Sequence, residues 1–486
     1  QQNPSVLPAE SLYAIEHDTM DTTFRSMYQG LYIYLSARKE RRDLLLSQRP
    51  PRFDESLDSM ISRSEDDFTR IALKAKAAQD YFLLIGPPGT GKTSCALKKM
   101  VETFHADKDA QILLLSYTNR AVDEICKSLA SIAPAVDFIR VGSELSCDEA
   151  YRGHLIENEL SSCNRRSEVY ERIRNCRIIV GTVVAISGKP ELFCLKHFDV
   201  AIIDEATQIL EPQLLGILCA RGEDGKDAID KFVLIGDHKQ LPAVVQQNTE
   251  QSAIYDESLL SIGLTNLKDS LFERLYRNCT ATVHRSYDML CRQGRMHPEV
   301  ALFANRAFYG GRLIPVGLPH QIESSDTICR LAFYPSVPEK AGASAKINYS
   351  EARIVADLAA RIYEDHQTDF DESRTLGIIT PYRSQIALIK KEIESLGIPA
   401  LNRILVDTVE RFQGSERDVI IYSFCVNYPY QLKFLSNLTE EEGVLIDRKL
   451  NVALTRARKQ MFITGVPELL ERNPLYKSLL KLIESF

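Results

Sequence analysis

The sequence lacks any apolar run long enough to cross a membrane. A stretch such as RIIVGTVVAI, which begins at Arg177, is bounded by polar residues on both sides and falls far short of the roughly 20 residues that a spanning helix needs. We therefore expect no membrane partner for this chain.

The sequence also lacks a C-x-x-C pair, since its 11 cysteines are scattered. Closely spaced cysteines are the usual ligands of structural zinc and of iron–sulfur clusters, so we expect neither within this chain. Unpaired thiols are typical of a reducing compartment, which predicts a cytoplasmic location, or a nuclear one in a eukaryote. Most of these thiols are expected to be buried.

Positive charge is scarce as well: 59 Lys and Arg face 66 Asp and Glu, giving a net charge of −7. Nucleic-acid-binding domains commonly carry a basic surface, so this balance counts against such a partner without excluding a locally positive groove. The chain begins at Gln1 without a signal pattern, and we expect it to be a fragment of a longer protein.

A chain of 486 residues with 44% hydrophobic composition is too long for one core and predicts two or three domains. Residues 1–65 are expected to form an N-terminal helical arm. Short apolar runs then alternate with amphipathic segments, which indicates parallel strands joined by crossover helices. We predict one α/β domain over 66–278, with a helical insertion near 142–175, and a second over 279–486. The stretch 265–296 carries no strand signal and is expected to be helical.

A glycine-rich turn follows the first predicted strand, in LLIGPPGTGKTSCALKK from Leu83. Glycines allow backbone conformations in which successive N–H groups point inward, and at a helix N-terminus they bind phosphate. The spacing G-x-x-x-x-G-K-[ST] then brings a lysine to the β- and γ-phosphates and a hydroxyl to Mg²⁺. The predicted nucleotide-binding residues are Gly86, Pro87, Pro88, Gly89, Thr90, Gly91, Lys92 and Thr93.

Two carboxylates end the strand of VAIIDEATQ, where ligands bind in open α/β sheets. Asp204 suits a Mg²⁺ ligand beside Thr93, and Glu205 suits orienting and deprotonating the attacking water. Gln240 in VLIGDHKQLP follows another apolar strand and is a candidate contact of the γ-phosphate.

The order of the motifs is more specific than any one of them. The segments LLLSYTNRAVDEI, VGT, IIDEATQ, GDHKQLP, QGRMHP, GIITPYRSQ, VDTVERFQGSERDVI and LNVALTRAR resemble motifs Ia to VI of superfamily 1 helicases. SYTNRAVDEI, GDHKQLP and KERRDLLLSQRPP resemble the helicase half of the flap-processing nuclease-helicases. That family belongs to a 5′→3′ branch that also includes the RNA helicase of nonsense-mediated decay. The likeness begins at about Lys39.

The resemblance implies an α/β fold of two RecA-like P-loop lobes, each a mostly parallel sheet with helices on both faces. It implies ATP and Mg²⁺ as cofactors, NTP hydrolysis coupled to 5′→3′ movement on single-stranded DNA, and upstream barrel or nuclease domains absent from this chain. Arg295 and Arg456 match the family arginines that reach the γ-phosphate from the second lobe, where a guanidinium stabilises charge only when the lobes close. Glu416 matches a glutamate near the ribose or γ-phosphate.

Small polar residues and one tyrosine stand at strand ends, where hydroxyls and N–H groups can hold nucleic-acid phosphates without reading sequence and a ring can stack a base. The candidate nucleic-acid residues are Ser116, Thr118, Asn119, Gly181, Thr182, Thr380, Tyr382 and Thr408.

Two positions depart from the family pattern. The glutamine that reads adenine is replaced by Thr69, and the tyrosine that covers the base is replaced by Gly294. Selectivity for adenine is therefore expected to be weak, unless a neighbouring ring such as Phe68 or Tyr81 replaces the stack.

Three alternatives stay open at this stage. RNA could replace DNA as the substrate, because nothing in the strand-end residues reads a 2′-hydroxyl. The chain could be a nucleotide-switched binding module, although its complete catalytic set argues against one. A nuclease within this chain is not expected, because no compact Asp…Glu-x-Lys cluster lies outside the helicase motifs.

Overall fold

Two parallel β-sheets, one from each half of the chain, organise the structure. The computed structural model describes residues 22–245, 247, 250–282, 284–323, 328–339, 344–441 and 443–485. The strands in chain order are β1 (Tyr81–Ile85), β2 (Ile112–Ser116), β3 (Phe138–Val141), β4 (Ile178–Thr182), β5 (Phe198–Ile203), β6 (Ile229–Gly236), β7 (Tyr287–Met289), β8 (Arg292–Gln293), β9 (Ile314–Pro315), β10 (Leu331–Pro335), β11 (Leu376–Ile379), β12 (Leu405–Asp407), β13 (Arg417–Ser423), β14 (Leu438–Glu441), β15 (Val444–Asp447) and β16 (Ala457–Gly465).

Helices connect these strands. They are α1 (Thr22–Ser36), α2 (Lys39–Leu45), α3 (Asp58–Arg63), α4 (Asp67–Ala77), α5 (Lys98–His105), α6 (Asn119–Ala130), α7 (Ile156–Glu159), α8 (Arg166–Asn175), α9 (Val183–Ser187), α10 (Glu191–Leu195), α11 (Glu211–Leu218), α12 (Glu257–Ser261), α13 (Leu271–Ala281), α14 (Pro298–Tyr309), α15 (Pro319–Ile322), α16 (Tyr349–Asp365), α17 (Arg383–Ser395), α18 (Val409–Phe412), α19 (Leu432–Leu435), α20 (Arg448–Leu454), α21 (Pro467–Leu470) and α22 (Pro474–Glu484).

The first sheet has the order β3-β4-β2-β5-β6-β1-β7, and the second has the order β10-β16-β13-β11-β12. Their pairings are parallel throughout, with registers such as Leu83↔Leu234 and Ile378↔Ile421. The central strands are buried on both faces, as expected for a parallel sheet covered by helices on either side. The predicted fold class, an α/β protein with two parallel-sheet lobes, is confirmed.

Two short strands fall in the stretch that was expected to be helical. Tyr287 in β7 pairs with Leu83 of β1 and extends the first sheet, and β8 pairs with β9. The expected helix is present as α13, but the strands were missed because YDM and RQ carry no apolar run. Only the open edge beside β1 makes the first of them a strand. β7 also lies beyond residue 278, so the predicted domain division falls before the last strand of the first sheet. The domain boundaries themselves stay predictions.

The helical arm packs on the first lobe. A Cβ on Gly30 of α1 would lie 2.3 Å from the carbonyl oxygen of Pro212, and a Cβ on Gly216 of α11 would lie 3.0 Å from the Cα of Gly30, so two glycines let these helices cross. Buried Arg41 of α2 donates hydrogen bonds to the carbonyls of Ile229 and Asp230 at 2.5 and 3.1 Å. Within the described residues, no helix combines the length and apolar character needed to traverse a membrane.

A buried carboxyl lies at the end of the second sheet. Glu351 of α16 accepts hydrogen bonds from the Ser423 hydroxyl at 2.6 Å and from the Cys425 N–H at 2.8 Å. Burial outweighs these hydrogen bonds and raises the pKa of Glu351 to about 7, because a charge is poorly solvated there.

The raised pKa makes the stability of the protein depend on pH. The folded chain holds the Glu351 proton more tightly than the unfolded chain, whose glutamates have a pKa of about 4.3. Its stabilising contribution is therefore full at low pH and is lost as the pH rises toward the folded pKa. Glu351→Gln mimics the protonated form. Relative to wild type, we expect its free energy of unfolding to rise by up to about 1.4 kcal/mol per pH unit between about pH 5 and pH 7.

Urea denaturation across that pH range measures this difference. Glu364→Gln, at an exposed position of the same helix, is the matched control and should show no such trend. Parallel stability curves for wild type and Glu351→Gln would contradict the assignment.

Candidate nucleotide site

The glycine-rich loop leads from β1 into one turn of π-helix, Lys92–Leu97. Gly89 and Gly91 both have φ of +74°, a left-handed conformation that favours glycine. Gly89 must also lack a side chain for a second reason, since a Cβ there would lie 2.4 Å from that of Arg295. The loop lines a cleft of about 1500 Å³ whose walls come from both lobes.

The residues predicted for phosphate and metal converge at the loop. Lys92 Nζ lies 2.6 Å from Glu205 Oε1, and the Thr93 hydroxyl donates to Asp204 Oδ2 at 2.5 Å. Gln208 donates to the other oxygen of Glu205 at 2.7 Å. The loop follows β1, and both carboxylates follow β5. They lie close together because parallel strands end at the same edge of the sheet.

The two carboxylates differ in acidity. Burial, and next the charge of Glu205, raise the pKa of Asp204 to about 6. Glu205 is pushed the same way by burial, but the Lys92 ammonium overcomes this and holds its pKa below the ordinary value. Glu205 thus stays ionised, as a group that accepts a proton from water must be. The hydroxyl of Thr93 and the carboxylate of Asp204 are hard oxygen donors that fit Mg²⁺.

The second lobe closes the cleft with two arginines. Arg456 donates to Gln240 Oε1 at 2.9 Å, and Arg295 donates to Glu416 Oε2 at 2.5 Å. Burial, and next the charge of Arg295, lower the pKa of Arg456 to about 9. The structure therefore brings together the five side chains predicted from the motifs to act on the γ-phosphate region: Lys92, Glu205, Gln240, Arg295 and Arg456. Their roles stay predictions.

A hydrogen-bonded chain that sequence reasoning missed supports Gln240. Asp237 Oδ2 accepts from Gln240 Nε2 and from the Tyr309 hydroxyl, each at 2.7 Å. Asn451 donates to the Tyr309 oxygen at 2.8 Å, and Arg456 follows on from the same helix. Tyr309 and Asn451 belong to the second lobe, so the chain links both lobes. Asp237 and Asn451 stand inside recognised motifs, but Tyr309 in FANRAFYGG had no signal of its own.

Of the residues expected around the nucleotide base, some line the cleft and others do not. Gly294 lines the cleft, and its N–H donates to the Gly89 carbonyl at 2.8 Å. Thr69 is not among the residues that line the cleft, and its hydroxyl donates to Asp66 at 2.5 Å. Tyr81 lies in the core with 2% of its surface exposed, which excludes it as a substitute ring. Phe68 lies at the cleft, 3.6 Å from where a Cβ on Gly91 would be.

The predicted nucleic-acid residues lie at strand ends of both lobes, with unequal exposure. Thr118 is exposed, and Asn119, Tyr382 and Thr408 are partly exposed; Ser116, Gly181, Thr182 and Thr380 are buried. The Ser116 hydroxyl donates to the carbonyl of Asp204 at 3.2 Å.

Some of these hydroxyls already serve the fold. Those of Thr118 and Thr182 accept from the N–H groups of Ala121 and Ala185 at helix starts. Thr380 Oγ1 is buried without a hydrogen-bond partner in the described chain. The nucleic-acid role of these residues stays a prediction, and it is weakest for Ser116, which is fully buried and whose hydroxyl is already hydrogen-bonded to Asp204.

Comparisons with known proteins agree with this geometry. Two family models, each described as an AAA domain, match the chain, one over residues 63–169 and 157–248 and the other over 267–468. The chain is 29% identical to the "DNA replication ATP-dependent helicase/nuclease JHS1" of Arabidopsis thaliana, covering 98% of this chain and 35% of that protein. It is 28% identical to the human "DNA replication ATP-dependent helicase/nuclease DNA2", with 98% and 46% covered.

A shorter relative is also similar. The "DNA polymerase alpha-associated DNA helicase A" of Saccharomyces cerevisiae is 24% identical over 94% of this chain and 73% of that protein. Among solved structures, the "Complex structure of Arterivirus nonstructural protein 10 (helicase) with DNA" has a TM-score of 0.40 and 15% identity, covering 85% of this chain and 65% of that one. The chain spans about a third to a half of the length of the helicase/nucleases it matches.

The Tyr309 hydroxyl is expected to position the site for turnover. Tyr309→Phe keeps the ring but leaves Asp237 and Asn451 without a shared partner, so Gln240 and Arg456 should lose alignment in the closed state. We expect nucleotide hydrolysis to fall about tenfold or more, the scale of a buried hydrogen bond to a charged group, with the KM for nucleotide unchanged. Steady-state kinetics measures both. Tyr363→Phe, a partly exposed position on α16, is the control, and a rise in KM alone would contradict a positioning role.

Proposed function

Because the chain belongs to the superfamily 1 helicases, we propose that it hydrolyses ATP between its two lobes and thereby moves along single-stranded DNA in the 5′→3′ direction. The observation that carries the proposal is the hydrogen bond from Arg456 of the second lobe to Gln240 of the first, formed in the cleft that Lys92 and Glu205 also line. A guanidinium reaching the phosphates from across the cleft makes hydrolysis depend on closure.

The residues of the loop have distinct parts in this mechanism. The N–H groups at the loop and Lys92 hold the phosphates, which draws the Lys92 ammonium away from Glu205. Glu205, freed from that ion pair, orients the attacking water and accepts its proton. Thr93 and Asp204 would hold Mg²⁺, which supplies charge neutralisation at the β- and γ-phosphate oxygens.

The second lobe acts at the transition state. Arg456 and Arg295 stabilise the charge that builds on the γ-phosphoryl group, and Gln240 senses its presence. Loss of that group removes the anion that the two arginines share, so the lobes can separate. Repeated closing and opening would move the strand-end residues of one lobe relative to those of the other along a bound strand.

DNA is favoured as the substrate because the names of the helicase/nuclease relatives refer to DNA replication. Such a role would place the protein in the nucleus, or in the cytoplasm of a cell without one. The nuclease activity in those names is not assigned to this chain, which spans only part of those relatives. We also propose that the full-length protein carries barrel or nuclease domains upstream of this chain.

ATP hydrolysis measured with no polynucleotide, with single-stranded DNA and with single-stranded RNA tests the function. We expect hydrolysis to be stimulated by single-stranded DNA. Stimulation by RNA alone would make the chain an RNA or ribonucleoprotein remodeller. Nucleotide binding without turnover would make it a switched binding module.

Lys92→Ala tests the phosphate loop. The variant loses a charge-assisted contact with the β- and γ-phosphates, and we expect hydrolysis to fall about 100-fold or more. Lys99→Ala, at a partly exposed position on α5, is the matched control and should retain the wild-type rate. A Lys92→Ala variant that is folded, by circular dichroism, and hydrolyses ATP normally would disprove the assignment.

Selectivity among nucleotides is expected to be weak. Thr69 is bound to Asp66 and Gly294 has no ring, so the base meets the face or edge of Phe68, which does not distinguish adenine from other bases. We expect kcat/KM for ATP, GTP, CTP and UTP to agree within about tenfold, a difference of about 1.4 kcal/mol. The measurement uses saturating single-stranded DNA. A preference for ATP of about a hundredfold or more would contradict it.

A further inference from the structure

A surface of the second lobe exposes two large aromatic side chains that lie close to each other in the sequence. It follows β13 and consists of a short turn, Pro429–Gln431, and the helix α19. The side chain of Tyr430 is 54% exposed and that of Phe434 is 71% exposed. Aromatic residues usually bury most of their surface, so two such residues four positions apart on one turn and helix suggest a binding surface.

Two rings of this surface are already stacked. The ring centroids of Tyr428 and Tyr430 lie 5.8 Å apart and their planes differ by 15°. Tyr428 is partly buried and packs against the ring of Tyr430, whereas Tyr430 itself remains open to solvent. A planar group that approached Tyr430 would therefore meet a ring that is held in orientation by its neighbour.

A buried glutamine holds this surface in place. Gln431 Oε1 accepts from the N–H groups of Asn427 and Tyr428, both at 2.9 Å. Its Nε2 donates to the carbonyl of Ala345 at 2.7 Å and to the hydroxyl of Tyr382 at 3.2 Å. Each donor and acceptor of the amide is thus engaged, which restricts the turn before any ligand binds.

The contact with Tyr382 joins the surface to the end of β11, which the sequence predicts to lie on the nucleic-acid path. We call Tyr382, Tyr428, Tyr430 and Phe434 the aromatic shelf. Tyr382 is half-buried, and burial followed by the proximity of Cys425 and Tyr430 raises its pKa. Through Tyr382, the aromatic shelf therefore connects the end of β11 to the exposed turn and helix α19.

Positive charge accompanies the shelf. Arg383 follows Tyr382 and Lys433 precedes Phe434, and both side chains are exposed. Within the described part of the chain, neither forms an ion pair with a carboxylate. Aromatic rings next to uncommitted cations are the combination that binds single-stranded nucleic acid, because bases stack on the rings while the phosphates meet the charges.

We propose that the aromatic shelf stacks bases of the single strand on which the protein moves. The inference rests on the proposed function and adds a site to it. Stacking is tolerant of sequence because every base has a flat face, which suits a protein that must pass along any strand. The shelf makes base contacts at the second lobe, whereas the strand ends offer hydroxyls and N–H groups for phosphates.

The test compares a strand that has bases with one that has none. Fluorescence anisotropy measures binding of wild type, Tyr430→Ala and Phe434→Ala to a labelled oligothymidylate and to an abasic oligonucleotide of the same length. We expect each alanine variant to bind oligothymidylate about tenfold more weakly, since one stacked base contributes on that scale. Binding to the abasic strand should not change.

Two matched variants complete the design. Tyr430→Phe keeps the ring and should bind oligothymidylate like wild type. Tyr32→Ala removes a tyrosine that is 71% exposed on α1 of the arm and should also bind like wild type.

The outcomes separate this inference from the proposed function. Wild-type affinity of Tyr430→Ala and Phe434→Ala for oligothymidylate would overturn the shelf and leave the proposed function standing. An equal loss on the abasic strand would overturn it too, because the contact would then not be with bases. Failure of the wild-type protein to bind either strand would overturn both proposals.

Discussion

The placement of two arginines in one closed cleft, with Arg456 buried and Arg295 partly buried, is the constraint on which the rest of the site depends. Arg456 and Arg295 repel each other, and burial adds to the cost of charging Arg456. Glu205 and Glu416 offset part of this cost, and the hydrogen bond to Gln240 directs one guanidinium toward the loop. Such an arrangement is incomplete by itself, because it gathers positive charge at the place where a triphosphate would supply negative charge.

The lobes are held in register by contacts on both sides of those arginines. On one side, Tyr309 and Asn451 meet Asp237. On the other, Arg448 of the second lobe pairs with Glu273 of the first at 2.5 Å.

Buried ion pairs contribute little net stability, because desolvation opposes the Coulomb attraction, but they penalise every misaligned arrangement. His238, in contact with Glu441 of the hairpin β14–β15 at 3.1 Å, extends the same set of contacts from the motif GDHKQLP. The motifs therefore meet as one network of hydrogen bonds and ion pairs rather than as separate sites.

Much of the fold can be predicted from the sequence because strands buried on both faces of a parallel sheet have continuous apolar sequences. YFLLI, ILLLS and IIVGT are wholly buried strands, and they are among the short apolar runs that predict parallel strands. Strands β7, β8 and β14 carry polar residues and little apolar sequence, and they form because an edge or a partner strand offers hydrogen bonds. Periodicity cannot reveal such strands, since their stability comes from neighbours that are distant in the chain.

The sequence by itself determined the chemistry at the ends of its strands: the loop before Lys92, the carboxylates Asp204 and Glu205, and the arginines in QGRMHP and ALTRAR. Each lies in a local pattern that demands a particular residue type, so a reader of the sequence can find it. Tertiary structure alone decided that Tyr309 completes the support of Gln240, that Tyr81 is lost to the core while Phe68 reaches the cleft, and that Tyr430 lies open on a stacked partner. These outcomes depend on which surfaces the two lobes and their connections bury, and burial is a property of the packed chain rather than of any segment.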